Sequence, residues 1–275
     1  EEFEPTRRLD AALQSGQTTE ESYQAQMGAY YGLQQKMNVF QRIQYGNLSY
    51  LKGHPKAQLV YESGWQKLFC FSGEGDLQDT LIAGLVSCIC FSGLLAFEHA
   101  GGMKRVVMAT PLGRRTTLRR KLAVGALGAV LVWLFTCLPH FIIVLRDYGL
   151  CRPFAPAMSL QDYAAIPAWV SLSDLLVFAV LARLAACLCM MLLMMAFSEY
   201  VGNTLGAMFL GSIAFCLPPL LALSGLSGLR WVGFYPLFHM AELARRADIW
   251  AGLGALVMAL GVGWLAAEKL QERWS

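Results

Sequence analysis

Residues 80–97 read TLIAGLVSCICFSGLLAF, and residues 98–121 read EHAGGMKRVVMATPLGRRTTLRRK. An apolar run ends in a carboxylate, passes a glycine pair and meets seven Lys or Arg residues, and a second apolar run begins at once. A hydrocarbon core of about 30 Å needs about 20 helical residues, each rising about 1.5 Å, so the first run is long enough to cross a bilayer. A cluster of Lys and Arg directly after it marks the side on which the span stops.

Outward from this stretch the pattern repeats. The chain of 275 residues is 56% hydrophobic and 15% charged, with a mean hydropathy of +0.45. Soluble domains are about 45–50% apolar and about 25% charged. Five runs carry the excess, at 79–97, 122–145, 173–197, 204–224 and 249–267. None alternates with the period of a membrane barrel strand, so each is read as a helix that satisfies its own backbone polar groups. The expected fold is an all-α polytopic membrane protein: five visible transmembrane helices plus an extracytoplasmic helical segment. Residues 1–78 form that segment and 79–275 the transmembrane domain. The net charge of +3 is too small to imply a nucleic-acid partner, whereas membrane lipid is expected around the spans.

Orientation follows from the short loops. Loop 98–121 holds Lys104, Arg105, Arg114, Arg115, Arg119, Arg120 and Lys121 against Glu98, which places it in the cytoplasm. Alternation then puts 146–172 and 225–248 outside, 198–203 and 268–275 inside, and 1–78 outside. An exported first segment with five spans after it predicts a sixth, N-terminal span that is absent from this chain; a cleaved signal peptide gives the same topology.

Within 1–78, Thr18 and Glu21 have the spacing of a capping box. Tyr23, Met27, Tyr30, Leu33, Met37 and Phe40 then recur at helical spacing as one apolar stripe. Such a stripe serves either the core of a small helical domain or a substrate-recognising cap. Trp65, just before the first span, is placed for an interfacial belt.

Loop 98–121 is more regular than a tether. Residues 100–109 can form a short helix with Met103, Val106 and Val107 on one face, ended by Pro111 and Gly113. Glu98 can pair with Arg105 or Arg114, or with a basic residue of a partner protein. One reading is positive-inside anchoring alone, and the other is a helix lying along the membrane surface, with apolar side chains down and basic ones toward lipid phosphates. The arrangement of Glu98, Gly102, Thr110, Pro111, Gly113, Arg114 and Lys121 resembles membrane (permease) subunits of type-two ABC exporters. In that family a span ends in Glu, followed by a short coupling helix and a Thr-Pro-x-Gly-Arg stretch that leads into a Lys-headed span. The resemblance implies a transport subunit, not an enzyme, that pairs with a separate ABC ATPase subunit and with a second permease subunit, as a homo- or heterodimer. Glu98, Gly102, Met103, Val106, Thr110, Pro111, Gly113 and Arg114 would then couple to the ATPase. ATP and Mg are expected on that partner, because this chain has no G-x-x-x-x-G-K-[ST] motif to cradle phosphates. The implied location is a cell membrane crossed several times, the bacterial plasma membrane.

Polar groups inside the spans are few. Arg183 lies about 13 Å into the third visible span, near the midplane. It is either a structural arginine paired to a carbonyl or carboxylate or a functional group. Asp79, Asp174 and Glu199 lie at span ends, where charge reaches water. Pro218-Pro219 should kink or end the fourth visible span, and the mixed stretch 225–247 matches the place of re-entrant or outer-surface helices in the family. The cysteines lack His or carboxylate company and read as small apolar residues, with Cys70 and Cys151 able to pair outside. No convergent acids, bases or metal ligands support a membrane enzyme. The alternative to transport is a membrane sensor or assembly protein that recognises its ligand through the extracytoplasmic helical segment.

Overall fold

The computed structural model describes residues 21–29, 50–60, 62–69, 75–109, 111–150, 152–224, 233–241 and 249–274. The chain divides at Leu59/Val60 into two compact units. In the first, 21–29 and 50–53 are helical, and Tyr23 and Met27 are both half-buried, one turn apart. Thr18 and the rest of the stripe (Tyr30, Leu33, Met37 and Phe40) lie outside the described residues, as do Cys70 and Cys151.

The other α-helices among the described residues belong to the second unit. They are α1 (Glu62–Phe69), α2 (Gly75–Phe91), α3 (Gly93–Ala100), α4 (Met103–Ala109), α5 (Pro111–Asp147), α6 (Leu172–Val201), α7 (Thr204–Leu223), α8 (Tyr235–Phe238) and α9 (Ile249–Trp274). Among the described residues, five stretches are long and apolar enough to cross a membrane: Gln78–His99, Thr116–Asp147, Leu172–Val201, Thr204–Leu221 and Gly252–Trp274. They coincide with the five runs in the sequence. The protein is an all-α, multi-pass membrane protein, and the only extended pairing among the described residues is an isolated bridge between Pro156 and Ser171.

The third span, α6, is the hub. It is apolar on all sides, which suits a helix surrounded by others, and it touches each of the other four spans. Ser171 caps its start in a reciprocal capping box with Asp174, and Gly202 ends it in the left-handed conformation at φ 65°. Asn203 then caps α7, its Oδ1 accepting from the Leu205 N–H at 3.2 Å. Small residues let the helices approach closely: a Cβ on Gly211 of α7 would strike the sulfur of Met194 and lie 3.0 Å from that of Cys88. Pro218 and Pro219 neither stop α7 where they stand nor remove it; the helix runs through both and ends one turn later, at Leu223.

Two apolar cores result. One lies among the spans. The other closes the end of the bundle remote from the 98–121 turn and joins α1, the end of α5, the 155–166 segment and the start of α6. Trp65 belongs to this second core and not to an interfacial belt. It is fully buried and stacks on Phe69 at 5.4 Å, with Phe69 edge-on to Tyr163 at 5.6 Å. The reason is the spacing of Trp65, Leu68 and Phe69, which puts all three on the inner face of a single two-turn helix. This helix is part of the span-bearing unit, which begins at Val60.

Candidate functional site

The basic turn is built from three helices in succession. α3 ends at Ala100, and Gly102, at φ 66°, turns the chain in a conformation that L side chains rarely adopt. α4 then runs for seven residues, Met103 to Ala109. Its two faces differ. Lys104 and Val107, three apart, turn toward the bundle, where Val107 packs against the span core. Met103 and Val106, also three apart, point away and are 59% and 70% exposed. The short helix predicted from sequence is therefore present, but Val107 does not share the face of Met103 and Val106. Pro111 does not trail α4 either. It opens α5 as its first residue, a position where the missing proline N–H costs nothing. Thr110 lies outside the described residues, as do the side chains of Pro111 and Arg114, and Gly113 is described only as part of the α5 backbone.

Three latches hold this turn to the spans. The first joins α3 to α5: Lys121 Nζ lies 2.8 Å from Glu98 Oε1 and also donates to the Leu94 carbonyl. The sequence offered Arg105 or Arg114 as the partner of Glu98. Arg105 is exposed, and the geometry selects Lys121 because α5 returns antiparallel past the end of α3. The second latch is centred on Glu199 of α6, which is only 1% exposed. It pairs with Lys104 of α4 and, at 3.1 Å, with His99 Nε2 of α3. The indole ring of Trp274, at the end of α9, lies 5.8 Å from the same ammonium. Glu199 thus does not face water at the span end. It is buried, and basic groups from two short helices meet it.

The third latch is Ser198, fully buried beside Glu199. In an uninterrupted helix the Ala96 N–H would bond the Ser92 carbonyl. Here the Ser198 hydroxyl stands between them: it accepts from Ala96 N at 2.8 Å and from Leu95 N at 3.3 Å, and donates to Ser92 O at 2.6 Å. A side chain inserted into the backbone ladder is a recognised cause of a helix break, and the break between α2 and α3 falls at Ser92. Sequence reading placed Glu199 at a span end in reach of water and did not find Ser198 or His99. The available signal was that loop 198–203 has one acid and faces, on the same side, a loop rich in bases.

Arg183 lies away from this site and is 6% exposed. Its Nε and Nη2 donate to the Phe238 carbonyl at 3.2 and 3.1 Å, and its Nη1 is 3.9 Å from Asp79 Oδ2. The arrangement is the paired one, with a carbonyl and a carboxylate, and it ties α6 to α8 and to the start of the first span. α8 and its flanks, 235–241, are buried between spans. Among the described residues no group of three or more His, Cys, Asp or Glu is placed to hold a metal ion.

Compared with protein-family models, with curated proteins and with solved structures, the chain matches none.

Proposed function

We propose that the chain is a permease subunit of the type-two ABC exporter kind, with the turn 98–121 on the cytoplasmic side and α4 as the docking element for a separate ATPase. The observation that carries this reading is the two-faced build of α4. Lys104 and Val107 fasten it to the spans, while Met103 and Val106 present apolar surface outward. A motor subunit needs an element that stays joined to the spans while it moves, and α4 meets that need through Glu199 of α6, the helix in contact with every other span. In this reading ATP and Mg belong to the partner ATPase, and a second permease subunit completes the pathway. Anchoring alone requires the charges of the turn and leaves outward apolar residues without a role.

The test is the double substitution Met103→Asp with Val106→Asp. The variant should insert at normal abundance yet fail to co-purify with the partner ATPase, or fail to stimulate its hydrolysis. A variant that inserts, binds and couples as wild type does would remove the reading.

A further inference from the structure

A cleft of about 330 Å³ lies between α5 and α6, at the end of the bundle remote from the basic turn. Leu68 and Phe69 of α1 roof it, and Phe238 and Arg183 close its inner wall. Its mouth is formed by Leu134 and Leu138 of α5 and Val177 and Leu181 of α6, all four of them exposed. These residues lie within the stretches Thr116–Asp147 and Leu172–Val201, so the mouth opens at hydrocarbon depth and faces lipid tails.

The lining selects the occupant. Two polar groups at the wall already have partners there: the Arg183 guanidinium bonds the Phe238 carbonyl, and the Val180 carbonyl accepts from Trp133 Nε1 at 3.2 Å. A water in the cleft would lack the two to four polar partners that hold buried waters. A second transmembrane helix, about 10–12 Å across with its side chains, is too wide for the space. An empty cleft forfeits dispersion contacts along its whole wall. A single unbranched hydrocarbon chain satisfies all three conditions, and the surrounding bilayer supplies it. We propose that this cleft is a binding site for one acyl chain of a membrane lipid, held between α5 and α6 beneath α1.

Trp133 lines the cleft and reports on it. The full chain is reconstituted in phosphatidylcholine vesicles with acyl chains brominated near mid-chain, and the emission of Trp133 is taken by difference from Trp133→Phe. Contact with bromine should quench that emission by more than half. Ala179→Phe places a ring in the cleft and should restore most of it, while quenching of the outward-facing Trp264, taken by difference from Trp264→Phe, stays unchanged. Equal Trp133 emission in brominated and plain lipid would overturn the proposal, and so would equal quenching in wild type and a folded Ala179→Phe. Wild type alone gives a second readout. A spin-labelled lysophospholipid titrated into the delipidated chain should show an immobilised component that saturates at stoichiometric occupancy, whereas uptake that rises without saturation would overturn the site.

Discussion

The end of the bundle roofed by α1 and the end that carries α4 are held together by different forces. At the first, Trp65, Phe69, Leu160 and Tyr163 interlock as fully buried side chains, and their hold depends on shape. At the second, the joints are Lys121 with Glu98, Lys104 and His99 with Glu199, and one hydroxyl placed within a backbone bond. Packing contacts lose much of their attraction when surfaces part by about 0.5–1 Å. Charge pairs weaken only as the inverse of distance. A packed end is therefore stiff, and a charge-held end keeps its connections through small displacements. The same difference explains why α4 is fixed in place while its outer face stays uncovered: polar joints position a helix without surrounding it.

The sharpest way to break this contrast is to remove shape from the packed end. Trp65→Ala should cost about 3–5 kcal/mol of local stability. The loss should appear as faster amide exchange in 141–148 and 155–172, with α4 unaffected. If α4 loosened equally, the two ends would form one cooperative unit and the comparison would fail.

A smaller effect is expected from Glu199→Ala. Lys104 and His99 are about a fifth to a quarter exposed, so they regain some water when the carboxylate goes. The expected cost is about 1.5–3 kcal/mol, the range for hydrogen bonds to charged groups. Exchange protection should fall in 97–109 and persist at the roofed end.

Ser198→Ala should change shape more than stability. Removing the hydroxyl lets Ala96 N–H close directly on Ser92 O, so the net cost stays below about 1 kcal/mol. Spin labels at positions 85 and 97, both exposed, should change their separation when the hydroxyl no longer stands in the backbone ladder between α2 and α3. An unchanged separation would mean that Ser92 breaks the helix by itself.

The smallest effect concerns pH at the roofed end. Burial raises the Glu62 pKa above its ordinary 4.5, a backbone hydrogen bond involving Gln161 opposes the rise, and nearby Asp162 adds to it. The folded state then binds the Glu62 proton more tightly than the unfolded state does. The contribution to stability is complete below the ordinary value and is lost as pH rises through the raised one. Thermal midpoints of wild type should decline across that window, and Glu62→Gln should flatten the decline. A steeper profile in the Gln variant would reverse the assignment.

Much of the architecture was legible because spans obey a length rule. Twenty apolar residues bounded by charge mean a crossing helix whatever surrounds them, and all five runs obey it. A short helix here was legible too, expected over 100–109 and found over Met103–Ala109, because the Gly101-Gly102 turn delays its start. Partners were not. Glu199 stands one hundred residues from His99, and nothing local distinguishes a carboxylate that reaches water from one buried under a lysine. Trp65 misled for a similar reason. A tryptophan near a span start suits an interface, and only the fold of 152–171 over α1 turns it inward. Glu98 had seven candidate bases within its own loop, and the antiparallel return of α5 selected one.

The serine bridge has a mechanical corollary. A hinge made by a missing bond is permanently weakened, whereas this one is a bond rerouted through a third party. If α6 slides away, the Ala96 donor and the Ser92 acceptor already face each other and can join, and the Ser198 hydroxyl can turn back to the carbonyl one turn earlier in its own helix, as helical serines do. Only the Leu95 N–H must then find another acceptor. The bridged and the direct form of the first span differ by that one hydrogen bond, so a modest push along α6 suffices to exchange one for the other.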